Sequence, residues 1–406
     1  MHSNLNLDTF IQAHVIKRSK SLLEVDLLRL DAELKKRING KKVLVIGGAG
    51  TIGSSYIKAI LKFNIRSLTV VDINENGLTE LVRDLRSSTE YNIPEDFITY
   101  PINFGDRVFE KLFRKTAPFD IVANFAAHKH VRSEKDIFSI EAMIENNVLR
   151  ARKLLDLLLE FPPEHFFCVS TDKATNPVNI MGASKKLMEE LIMSYSSKIP
   201  IKTARFANVA FSNGSLPLGF LERLNKKQPW SCPLGIKRFF VSPRESGELC
   251  LIACIMGASG DIFFPKLDVE KDMIPFDQIA LDLLKSFGLE ADICKTEDEA
   301  KNKAKLLTGN ETSYPIYFFD SNTSGEKSFE EFYTGDEQVD LTSFINLGVI
   351  TNSKKRNPKE IDEIFNQLNK LFESDEFSKS NVVEILSEYL PDFHHIEKGK
   401  GLDQNM

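Results

Sequence analysis

Two clusters of residues in this 406-residue chain have the types and spacing to do chemistry. The first is Gly47-Gly48-Ala49-Gly50-Thr51-Ile52-Gly53, a G-x-x-G-x-x-G spacing directly after the apolar run Val43-Leu44-Val45-Ile46. A turn without β-carbons lets the backbone approach a pyrophosphate, and the helix opening there presents its positive N-terminal end to that charge. Asp72 closes the next apolar run, where a carboxylate accepts hydrogen bonds from an adenosine ribose and repels a 2′-phosphate, favouring NAD over NADP. Glycines alone also occur in ordinary strand–helix turns. The order strand, glycines, helix, strand and acid is what points to a dinucleotide. The second cluster, Ser170-Thr171-Asp172-Lys173-Ala174, follows the run His165-Phe166-Phe167-Cys168-Val169. Doubly wound folds place reacting groups at that end of a strand. Without further context, Thr-Asp-Lys reads most simply as a strand-end turn with a surface ion pair.

The elements that must position both clusters are legible as alternating strands and helices. Apolar runs at 43–46, 67–71, 97–100, 121–125 and 165–170 read as buried strands, with helices at about 51–63 and 140–160 between them. The fold class expected is α/β, a doubly wound parallel sheet of Rossmann type. A smaller C-terminal substrate-binding region and an N-terminal helical extension complete it. The chain divides into a helical extension (1–40), a dinucleotide-binding domain (41–211), a substrate-binding region (212–350) and a helical tail (351–406). With 42% hydrophobic and 27% charged residues, the chain matches soluble globular proteins and can bury a core without disulfides. A net charge of -6 argues against nucleic acid as the main partner. The five cysteines are scattered with no metal-ligand spacing, as in a reducing compartment. No run is long enough for a membrane helix and the first residues lack a signal peptide, so a cytoplasmic protein is expected.

Further motifs surround these clusters. Asn176-Pro177-Val178-Asn179-Ile180-Met181-Gly182-Ala183-Ser184-Lys185 follows the acid–base turn, and Ala126-Ala127-His128-Lys129-His130-Val131 follows the fourth strand. Arg205-Phe206-Ala207-Asn208-Val209, Lys237-Arg238-Phe239-Phe240, and Gly325-Glu326-Lys327 with Glu330-Glu331 come later. In this order, over roughly 41–335, they resemble the nucleotide-sugar 4,6-dehydratases of the extended short-chain dehydrogenase/reductase family, most nearly the UDP-N-acetylglucosamine 4,6-dehydratases.

The resemblance implies an NAD cofactor recycled within each turnover. Carbon 4 of the sugar is oxidised, water is eliminated across carbons 5 and 6, and hydride returns to carbon 6. It makes Asp172 the acid for the leaving hydroxyl, Lys173 the base at carbon 5, and Thr171 the partner of the carbon-4 oxygen. Lys185 would hold the nicotinamide ribose. Gly47, Gly50, Thr51, Ile52, Gly53, Asp72, Asn103 and Ala126 would line the cofactor, and Lys129, His130, Asn208 and Arg238 the substrate. The implied partners are a UDP-amino sugar and further copies of the chain, with the residue 1–40 helix contributing to packing. The implied role is bacterial surface-glycan synthesis. One departure is chemical: Met181 stands where the extended family usually has tyrosine, and a thioether cannot carry a proton. Asn103 replaces a common aspartate. A nucleotide-sugar 4-epimerase and a non-catalytic NAD-binding protein are the alternatives. An epimerase needs the tyrosine and has no use for an Asp172–Lys173 pair.

Overall fold

The computed structural model describes residues 5–309, 311–320, 331–351, 353, 355–374 and 376–396. A nine-stranded sheet runs in the order Gln338–Asp340, Leu347–Thr351, Ile262–Pro265, Ile201–Ala204, His165–Val169, Ile121–Asn124, Lys42–Ile46, Ser67–Val71, Asp96–Tyr100. The seven strands from Ile262–Pro265 onward are parallel, and Leu347–Thr351 pairs antiparallel with both Ile262–Pro265 and Gln338–Asp340. Apolar side chains point to both faces because both faces carry helices. Leu44, Ile46, Val122 and Phe166 pack with Leu154, Leu158, Leu187 and Leu191 of helices Arg150–Glu160 and Ile180–Ser194. Their neighbours Val43, Val45, Ile121 and Phe167 pack with Ile57, Ile60, Leu249 and Ile252 of helices Thr51–Ile60 and Pro243–Met256. This is the doubly wound Rossmann-type architecture expected from the sequence. The chain winds outward from Lys42–Ile46 in one direction, then restarts at Ile121–Asn124 on the other side. The crevice at that switch point is where such sheets bind ligands.

The expected boundary near residue 211 does not divide the sheet, since three of its strands come from 262–265, 338–340 and 347–351. The helix Pro243–Met256 of this region also packs on the main sheet, while other described parts of it build a second lobe on the short parallel sheet Glu290–Cys294, Ser313–Phe319 and Trp230–Pro233. Trp230, Phe220 and Tyr314 centre its core. The first and last described segments are built into this body. Near the N-terminus, Phe10, Ile11, Val15 and Ile16 enter the second lobe's core, while Leu23, Leu34 and Ile38 enter the sheet's. Between them Arg18 forms a bidentate pair with buried Glu245 (Nε–Oε1 2.7 Å, Nη2–Oε2 2.8 Å). Fully buried Asp26 accepts from the amides of Ile345 and Asn346, both at 2.8 Å. The residue 1–40 helix expected to support packing thus packs inside its own chain. At the other end, helices Pro358–Phe372 and Lys379–Tyr389 lay Ile361, Ile364, Phe365, Leu368, Val382 and Leu386 against the Arg150–Glu160 and Ile180–Ser194 helices. Among the described residues no helix is long and apolar enough to cross a membrane.

Candidate active site

The glycine turn occupies the switch point. Gly47 has φ +75°, and a β-carbon there would fall 2.5 Å from the Ala126 nitrogen. A β-carbon on Gly53 would fall 2.2 Å from the Gly47 carbonyl, so these two glycines close the turn on the fourth strand and on the helix. Gly50 differs: with φ -73°, its β-carbon would meet nothing nearer than 3.5 Å. No side chain caps the helix Thr51–Ile60 that starts there, so its first amides face the open side of the turn. Asp72 locks the turn, its Oδ2 accepting from Ala49 N and its Oδ1 from Asn74 N, both at 2.9 Å. Asn103 accepts from its own loop at Gly105 N (2.8 Å). Ala126 donates to Asn124 Oδ1 (3.0 Å). Thr51 Oγ1 accepts from Asn213 N (3.0 Å), joining the turn to the second lobe.

Beside the turn, a cleft of about 940 Å³ lies between the sheet and the second lobe. Of the residues the sequence singles out, Ile52, Lys129, His130, Thr171, Asp172, Lys173, Lys185 and Asn208 line it together. Arg238 is not among the lining residues: it is buried and donates to the Lys237 carbonyl (2.8 Å). Gly325, Glu326, Lys327 and Glu330 lie outside the described residues.

The acid–base turn is a compact hydrogen-bonded unit. Thr171 Oγ1 donates to Asp172 Oδ1 at 2.8 Å, and Lys173 Nζ reaches the same oxygen at 3.0 Å. Asp172 is only 3% exposed. Buried Lys185 donates from Nζ to the Val169 carbonyl (2.7 Å), and burial pushes its pKa down. Met181, one helical turn earlier, also lines the cleft. No tyrosine lines it among the described residues. Burial likewise lowers the pKa of Lys129, and burial with the nearby Arg150 charge lowers that of His128.

A family model described as polysaccharide biosynthesis protein matches residues 43–351, most of the chain and all of this site. The chain belongs to that family. Among its relatives, an uncharacterized membrane protein of Methanocaldococcus jannaschii is 35% identical over 56% of this chain and 67% of its own. A UDP-N-acetylglucosamine 4,6-dehydratase (inverting) of Campylobacter jejuni is 28% identical over 56% of this chain and 68% of its own. A UDP-glucose 4-epimerase of Rickettsia typhi is 30% identical over 56% and 66%. The chain spans about half the length of two further relatives named for polysaccharide biosynthesis, from Staphylococcus aureus and Bacillus subtilis. Among solved structures, the dTDP-glucose 4,6-dehydratase of Streptomyces venezuelae, with NAD and TYD bound, shares the fold at TM-score 0.54 and 17% identity. That likeness covers 72% of this chain and 88% of that one.

Several groups that hold the site escape the sequence reading. Asn147 accepts from His128 N (2.8 Å) and donates to His128 O (2.9 Å) and Ser184 Oγ (3.1 Å). It clamps the His128-Lys129-His130 loop from a π-helical turn, Glu145–Leu149. The only trace in the sequence is an Asn146-Asn147 pair inside an otherwise apolar helix. Glu189 accepts from Ser170 Oγ (2.7 Å) and forms a bidentate pair with fully buried Arg205. Arg205 also grips Glu337 and the Phe332 carbonyl. Burial pushes the Glu189 pKa up, but the Arg205 charge and hydrogen bonds outweigh it and hold the carboxyl at about 2.

Proposed function

We propose that the protein is an NAD-dependent 4,6-dehydratase acting on a UDP-N-acetylhexosamine, with UDP-N-acetylglucosamine the first candidate. One observation carries this reading: Thr171, Asp172 and Lys173 are bonded to one another in the cleft that holds Lys185, with a thioether at 181. NAD fits the turn, because Gly50 leaves the space before an uncapped helix N-terminus and Asp72 sits at the second strand's end. When bound, NAD would accept hydride from carbon 4 and return it at carbon 6.

The chain's own residues then account for the protons. The carbon-4 hydroxyl proton passes through Thr171 to the Asp172 carboxylate. Asp172 gives that proton to the carbon-6 hydroxyl, which leaves as water. Lys173, in its neutral form, takes the carbon-5 proton and returns one there when hydride reaches carbon 6. Both groups end as they began, and their direct contact couples their protonation. No phenol is required. Lys185 fixes the nicotinamide ribose, and Lys129, His130 and Asn208 contact the sugar nucleotide.

The 30%-identical epimerase keeps a 4-epimerase as the second reading. Against it stand the thioether and an acid–base pair that epimerisation does not use. Incubation with UDP-N-acetylglucosamine and mass analysis separates the readings: a dehydratase product is lighter by one water, and an epimerase product has unchanged mass. Neither product from NAD-loaded protein would leave a non-catalytic NAD-binding role. The further proposals are action in the cytoplasm for surface-glycan synthesis, and assembly of copies through surfaces other than the internally packed N-terminal helix.

A further inference from the structure

We propose that the C-terminal segment 393–396 and Glu134 together position the acid–base turn, an inference that rests on the catalytic role given above to Asp172 and Lys173. The family match ends at residue 351, yet the chain returns to the site some forty residues later. The loop from the acid–base turn to the Ile180–Ser194 helix includes Asn176 at φ +48°. Two of its carbonyls, Pro177 and Val178, accept from His394 N (3.2 Å) and Ile396 N (2.9 Å), so two main-chain hydrogen bonds tie the tail to it. Phe393 is buried in the same core as Met181 and Leu187, which anchors the segment.

Glu134 makes a second link. Its Oε1 accepts from Met181 N at 2.9 Å, fixing the first turn of the helix that carries Lys185. Its Oε2 faces His395 Nε2 at 3.6 Å and Lys379 Nζ at 4.0 Å, both from the C-terminal region. That first helical turn is pressed on the acid–base turn, since a β-carbon on Gly182 would fall 2.5 Å from the Lys173 carbonyl. Contacts therefore run unbroken from the tail through Glu134, Met181 and Gly182 to Lys173. They hold the base at a fixed distance from the ribose-binding Lys185 without touching substrate. A shift of about 1 Å in such a group can cost on the order of 10²-fold in rate.

The test compares the intact chain with a chain ending at Asp392 and with Glu134→Ala, Glu134→Gln and His395→Ala. Two readouts are taken: kcat and KM for water loss from UDP-N-acetylglucosamine, and amide hydrogen exchange across residues 174–183. The shortened chain and Glu134→Ala should lose roughly 10- to 100-fold in kcat, with KM and bound nicotinamide nucleotide within about twofold. Exchange should quicken at 174–183 and nowhere else. Glu134→Gln keeps an acceptor for the Met181 amide and should recover most of the rate, and His395→Ala should fall between. Unchanged kcat and exchange in both the shortened chain and Glu134→Ala would overturn the proposal. So would a loss in which KM, melting temperature and exchange of the whole chain move together. If the intact chain releases no water from the sugar but exchange at 174–183 responds as stated, the positioning contact stands and the dehydratase reading falls.

Discussion

The glycine turn and the acid–base turn follow two strands of the same sheet, with the strand Ile121–Asn124 between them, yet they are held by different means. The first is held by the backbone: Gly47 and Gly53 exist because a β-carbon would strike a main-chain atom. The second is held by side chains from distant parts of the chain, with Glu189, Arg205, Asn147 and Glu134 gripping the strand end, the neighbouring loop and the following helix. A backbone cradle suits a cofactor that stays bound through turnover. A side-chain scaffold suits groups that must change protonation without moving.

That contrast can be broken from the catalytic side first. Asp172→Asn and Lys173→Met should each cost about 10²–10⁴-fold in turnover of UDP-N-acetylglucosamine while bound nicotinamide nucleotide is unchanged. Full activity of Lys173→Met, or a product formed in deuterium oxide without deuterium at carbon 5, would refute the assigned roles. Next comes the scaffold. Arg205→Met strands Glu189 inside the fold and should destabilise by about 3–5 kcal/mol, read by denaturant unfolding. The same pair gives an acid limit. The folded Glu189 pKa of about 2 lies below its ordinary 4.5, so its stabilisation is complete above the ordinary value and is lost as pH falls toward about 2. A melting temperature flat from pH 5 to 2.5 in wild type would contradict the pairing.

Smaller effects sharpen the difference inside the glycine turn. Gly53→Ala overpacks the turn and should cost about 1–3 kcal/mol of stability. Gly50→Ala should leave melting within the ±0.5 kcal/mol typical of tolerated changes, yet weaken NAD by roughly tenfold, because only the ligand meets the new methyl. Equal effects at the two positions would mean that Gly50 does not face the cofactor. The mildest case is Met181→Leu, which should stay within about 1.5 kcal/mol in stability and keep most activity. A loss near that of Lys173→Met would give the thioether a role in the reaction.

The same contrast explains what could be read from the sequence. A backbone constraint leaves its mark locally, as glycines at fixed spacing after an apolar run, so the glycine turn, the strands on either side of it and the position of Asp72 at a strand end were legible. Thr171, Asp172, Lys173 and Lys185 were legible through the strand end and helix that present them, and eight expected residues do meet in one cleft. The scaffold was not. Glu189 and Arg205 are 16 residues apart and Arg205 and Glu337 are 132 apart, and no periodicity links them. Arg238, expected at the substrate, is buried and donates to the Lys237 carbonyl, a placement that residue type alone does not reveal. The division at 211 missed the late strands because pairing in a sheet ignores sequence distance.

Asp26 has a consequence in time. Its carboxylate is fully buried only because the amides of Ile345 and Asn346, more than 300 residues later, reach it. At a synthesis rate of roughly 5–20 residues per second, the acceptor waits some tens of seconds before its donors emerge. Throughout that interval Leu34 and Ile38 share an amphipathic helix with a carboxylate that still needs water. The carboxylate of this helix therefore gains its buried seat only once residues 345 and 346 have been made.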